Sequence, residues 1–182
     1  MRRLKSPGQM ALFLQPGEVL VADASCQLRT ILGSCVSITL WHPGKRIGGM
    51  SHFLLPTQGA CAKELDPSRP GYYGDDALRL MLRELKKSGV LPGQCQGKIF
   101  GGGNMFPNQM RADSGHVGQR NGKAARALLQ QHGVALVAES LFGIGYRQVV
   151  FDVNKGDVWC RQVQPSDQEI AVEKELTWHA SR

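Results

Sequence analysis

The stretch Leu32–Leu55 reads LGSCVSITLWHPGKRIGGMSHFLL, and most of the fold can be argued outward from it. Val36-Ser-Ile-Thr-Leu-Trp41 alternates and is rich in β-branched residues, which predicts a strand. His42-Pro43-Gly44-Lys45 is turn material, and Ile47 to Leu55 starts a second strand after a break at Gly48-Gly49. Cys35 stands at the mouth of the first strand, straight behind a Gly33-Ser34 turn. His52 stands near the end of the second, in a position to reach across to the thiol.

Upstream, Glu18–Ala22 and Leu28–Leu32 read as short strands. Pro56 to Gly71 has no sustained periodicity and is expected to be a long loop. One helix is predicted from Gly74 to Ser88, with Leu78, Met81, Leu82 and Leu85 on one face, Asp75 and Asp76 at its start, and Lys86 and Lys87 at its end. A second is predicted from Asn121, read as a cap, to His132. Lys98–Phe100, Val134–Glu139, Tyr146–Val153 and Val158–Val163 complete the strands, and the stretch from Gln164 to Arg182 is polar and mixed in charge. Runs of strands around two helices predict a single mixed α+β domain.

The chain's 182 residues suffice for one core, and 42% hydrophobic against 20% charged residues exclude wholesale disorder. Its longest apolar runs are too short to span a bilayer, and no signal-type apolar core follows the basic start, so a cytoplasmic protein is expected. Five dispersed cysteines without a Cys-x-x-Cys pair argue against a disulfide framework or a zinc ribbon. The five histidines show no ligand spacing, so no metal is expected. A net charge of +7 invites nucleic acid, but its basic residues are scattered and no binding module accompanies them. Gly101-Gly-Gly-Asn104 and Gly143-Ile-Gly145 lack the rest of a phosphate-binding motif, and read as turns or close backbone approaches.

Two readings of Cys35 and His52 are open at this point. In one, both are packing: a buried thiol and a satisfied polar ring. In the other, the imidazole activates the thiol as a nucleophile, protonates a leaving amine, and the amides behind Gly33-Ser34 stabilise an oxyanion.

"LGSCV", "GGMSHFLLP", "YGDDALRLMLREL", "KIFGGGNMF", "VGQRN" and "YRQVVFDVNKGDV" occur here in an order that resembles CheD, the chemoreceptor glutamine deamidase family. The likeness covers roughly residues 16–163 and leaves 164–182 as a C-terminal extension. It implies a three-layer α-β-β sandwich, similar to toxin-type Cys–His deamidases. It also implies that Cys35 is the nucleophile, His52 the base and Thr30 a supporting threonine, with Ser34 and Gly33 at the oxyanion site. In some members the threonine falls where Arg29 stands here. Phe142-Gly143-Ile144-Gly145 departs from the Gly-Gly pair expected there. The implied reaction converts receptor glutamine to glutamate and ammonia without a cofactor. The implied partners are the cytoplasmic domain of a methyl-accepting chemoreceptor and, in some lineages, a CheC-type phosphatase. Competing readings are a toxin-like deamidase or transglutaminase, and a weakly catalytic chemotaxis adaptor.

Overall fold

The computed structural model describes residues 8–57, 70–105 and 114–164. Most of the expected 56–71 loop, Cys61 and the stretch beyond Gln164 lie outside them.

Among the described residues, nine strands form two mixed sheets, accompanied by two α-helices. The larger sheet has the order β2 (Val19–Asp23), β5 (Ile47–Ser51), β4 (Val36–His42), β6 (Gln96–Gly101) and β7 (Ala135–Leu141). The smaller runs β1 (Met10–Phe13), β3 (Cys26–Leu32), β8 (Tyr146–Asp152) and β9 (Val158–Val163). The fold is α+β.

Strand periodicity assigns the faces. Val36, Ile38, Leu40 and Ile99 point to one side of the larger sheet and form a cluster with Leu78, Met81 and Leu85 of α1 (Gly74–Lys87) and Ala125, Leu128 and Leu129 of α2 (Ser114–Gln131). Met50 and Phe100 point the other way and pack with Leu28, Val149 and Phe151 of the smaller sheet. The helices therefore cover one face of the larger sheet and the smaller sheet covers the other. Trp41 ties the two sheets, its indole N–H donating to the Val153 carbonyl at 2.8 Å.

Three elements differ from the sequence expectation. β1 was not anticipated, because Met-Ala-Leu-Phe is a short, mostly exposed strand beside β3. Gly48 and Gly49 do not interrupt β5 but lie inside it, paired with Trp41 and Leu40. A Cβ at Gly49 would sit 2.6 Å from the Met81 side chain, and one at Gly48 would sit 2.8 Å from the Phe151 ring. The glycines thus admit the helix on one face and the smaller sheet on the other. Third, α2 begins at Ser114, so Asn121 lies within it rather than capping it. Gly115 and Gly118 each cost about 1 kcal/mol of helix propensity, which is why the sequence signals the helix only from Asn121 onward. Tertiary packing overrides that preference.

Candidate active site

The backbone bridge between Val36 and Phe53 sets the site. Val36 N–H donates to the Phe53 carbonyl at 3.1 Å and Phe53 N–H returns the bond at 3.0 Å. Val36 and Phe53 point into the helix-side core, so alternation turns their neighbours Cys35 and His52 to the inter-sheet face. In this register Ser37 stands opposite His52, with Cys35 diagonal to it, a relation in which side chains interact. Thr30 arrives from the other sheet: in β3, Leu28, Thr30 and Leu32 are buried, while Arg29 and Ile31 are more exposed. Arg29 donates to the Gln27 side chain instead.

The hydrogen bonds around Thr30 define the imidazole. Its hydroxyl donates to the Leu14 carbonyl at 3.0 Å, and its oxygen lies 2.8 Å from His52 Nδ1. With the hydroxyl proton committed to Leu14, Nδ1 must carry hydrogen and donate to Thr30. Nε2 then holds the free lone pair, the state a general base requires. His52 is 3% exposed. Burial pushes its pKa down from 6.5 to about 4, with the Leu14 carbonyl and the Glu18 carboxylate pulling the other way. Burial also raises the Cys35 thiol, opposed by the residue's own backbone N–H. Desolvation favours a neutral thiol beside a neutral imidazole over a standing ion pair.

The turn carrying Cys35 is held by its carbonyls. Gly103 N–H donates to Gly33 and Gly102 N–H to Cys35, both at 2.8 Å, and Asn121 Nδ2 donates to Ser34 at 3.1 Å. Gly101 has φ +117°, and a Cβ there would land on the Cys35 carbonyl oxygen. The Gly101–Gly103 run is therefore a close backbone approach that braces the turn. Behind it Arg147, itself buried, donates to the carbonyls of Gly101 and Phe142. Sequence reading missed Asn121, Leu14 and Glu18 as neighbours of the site. Their spacing along the chain carries no signal, because strand pairing brings in the segments of Leu14 and Glu18 and the packing of α2 brings in Asn121. Among the described residues no three His, Cys, Asp or Glu side chains gather as a metal site, and no helix is long and apolar enough to cross a membrane.

The model of the CheD chemotactic sensory transduction family matches residues 54–162. A protein of Albidiferax ferrireducens named "Probable chemoreceptor glutamine deamidase CheD 2" is 60% identical over 165 residues, covering 91% of this chain and 93% of its own. The chain belongs to the CheD family. Relatives in Pseudomonas savastanoi pv. phaseolicola and Chromobacterium violaceum, named "Probable chemoreceptor glutamine deamidase CheD" and "CheD 1", are each 42% identical. They cover 92% and 91% of this chain, and 91% and 84% of their own lengths. The CheD family match begins at Leu54, beyond Cys35 and His52; the longer matches to the relatives take in nine-tenths of the chain.

Proposed function

We propose that this CheD-family chain is a cysteine-dependent protein-glutamine deamidase acting on the cytoplasmic helices of chemoreceptors. The observation that carries the reading is the Thr30–His52 hydrogen bond, which leaves Nε2 as a base on the sheet face shared with Cys35. The relatives' names supply the substrate class.

The Cys35 thiol passes its proton to His52 Nε2 as sulfur attacks the side-chain carbonyl carbon of a glutamine. Backbone amides of the Gly33-Ser34-Cys35 turn take the developing oxyanion. The tetrahedral species collapses, the C–N bond breaks, and the imidazolium returns its proton to the departing ammonia. His52 then draws a proton from water, which attacks the thioester and releases glutamate and the Cys35 thiol. Because both groups rest neutral, the proton moves with the attack rather than before it. No cofactor enters this scheme.

New glutamates alter charge repulsion within a receptor's helical bundle, and so its signalling state. In the same reading the protein works in the cytoplasm, residues 1–163 form the catalytic domain with 164–182 as an extension, and a CheC-type phosphatase is a further partner. The fold's likeness to toxin-type Cys–His deamidases belongs to this proposal too.

The test is mass spectrometry of a chemoreceptor cytoplasmic fragment incubated with wild type, Cys35→Ala and His52→Ala. Amide-to-acid conversion at particular glutamines with wild type alone is expected. Unchanged glutamines despite measurable receptor binding would overturn the enzyme and favour an adaptor.

A further inference from the structure

Asn121 is fully buried, yet it belongs to neither apolar cluster. Its Nδ2 donates at once to Ser34 O at 3.1 Å and Leu54 O at 2.8 Å. Ser34 immediately precedes Cys35, and Leu54 lies two residues after His52. One carboxamide therefore ties both segments that carry the proposed reacting groups to the interior of α2. Its Oδ1 has no partner among the described residues. A buried carbonyl left so costs about 1–3 kcal/mol, which an apolar residue of similar volume would avoid. This site retains the polar group.

The helix is shaped to deliver it. Gly118 lies against Gly102: a Cβ at Gly118 would come 2.6 Å from the Gly102 carbonyl oxygen, and one at Gly102 would come 2.7 Å from that of Gly118. One turn on, a Cβ at Gly122 would sit 2.6 Å from the Phe142 ring. Gly118 and Gly122 flank Asn121 on either side and let α2 approach until the carboxamide reaches both carbonyls.

We infer that Asn121 is a positioning residue that clamps the Cys35 turn to the segment following His52 and so fixes the geometry of thiol and imidazole. The inference rests on the Cys–His reading above. It requires two N–H donors at this point, and volume alone will not serve. Asn121→Asp is nearly isosteric but turns an acceptor toward two carbonyl oxygens. A buried carboxyl lowers stability in either role, but only the clamp predicts that the Cys35 site itself is disturbed, and more by Asp than by Ala.

The experiment measures iodoacetamide alkylation of Cys35 against pH in the full-length protein. The tryptic peptide spanning residues 30–45 contains Cys35 as its only cysteine. Wild type, His52→Ala, Asn121→Ala and Asn121→Asp are compared, with kcat and KM for receptor deamidation alongside. The clamp predicts that both Asn121 variants shift the Cys35 profile toward that of His52→Ala, Asp further than Ala. It also predicts a kcat about 100-fold lower, the scale of a small misplacement of a reacting group, with KM little changed. Should the variants not fold, wild type still decides: the NMR signals of the Asn121 carboxamide must move when Cys35 is alkylated, and unmoved signals overturn the clamp. An Asn121 profile equal to wild type, with only a lowered Tm, overturns it as well. If His52→Ala itself leaves the Cys35 profile unchanged, the Cys–His reading fails first.

Discussion

The two faces of the β4–β5 pair are built to different ends. Toward the helices, Val36, Ile38, Leu40 and Phe53 form an apolar surface, and the one polar group among them, Ser51, is tied to the Ile38 backbone. Toward the smaller sheet, the same strands begin apolar with Trp41 and Met50 and finish polar with Ser37, His52 and Cys35, met by Thr30 from across the layer. Ser37 Oγ is buried without a partner among the described residues. The helix face maximises burial, while the end of the other face gives up stability to keep an imidazole and a thiol in a partly dry environment.

Substitutions on the two faces should therefore separate activity from stability. Cys35→Ala, at the polar end, should lower deamidation roughly a thousandfold or more, as loss of a nucleophile does, while Tm stays close to wild type. Substantial remaining turnover would place the chemistry elsewhere. Leu85→Ala, on the helix side, should do the opposite. It should cost about 2–5 kcal/mol in a denaturant titration and leave kcat per folded molecule unchanged.

A pH titration of stability sharpens the contrast, since the polar face holds the one imidazole that is buried among the described residues. His52 is neutral in the folded protein down to about 4, whereas the unfolded chain takes up that proton below 6.5. The unfolded state thus binds more protons in this window, so stability falls as pH drops from 6.5 through about 4. The full loss from this group is on the order of 3 kcal/mol. His52→Gln should lack that component, and an identical pH dependence in the two proteins would contradict the burial argument. The smallest effect is expected at Thr30→Val, which keeps the shape and removes the hydroxyl. With the tautomer no longer fixed, kcat should fall about tenfold, one pKa unit's worth of interaction, and stability should fall by about 1–3 kcal/mol as the Leu14 carbonyl and His52 Nδ1 lose their partner.

Cys95 is an internal control. It is buried in the helix-side cluster, and burial alone pushes its thiol up to about 11. Cys35 is also raised, but it is only partly buried at the surface of the core, faces the inter-sheet layer, and its own backbone N–H pulls it the other way. Position along the chain does not distinguish these two thiols. Their surroundings do.

The hairpin around Cys35 and His52 was legible because alternation and turn residues are local signals. The first helix was legible for the same reason, its apolar spacing and charged ends agreeing from Gly74 to Lys87. The place of Asn121 inside α2 was not, since the glycines ahead of it hide the first half of that helix until Gly102 is packed against Gly118, and Asn121 reads as its cap. The Thr30–His52 bond crosses between two sheets and is specified by the pairing of β3 with β8 and of β4 with β5, which no short window of sequence contains. The carbonyl of Leu14 is invisible in the same way, because any residue has one.

The most direct measurement is heteronuclear NMR of the imidazole ring nitrogens in wild type, with His52→Gln to assign the signal. Nδ1 should be protonated and Nε2 bare at neutral pH, the ring titrating well below 6.5 and toward about 4. An Nε2–H tautomer, or a midpoint at or above 6.5, would mean that Thr30 does not hold His52 as a base for Cys35.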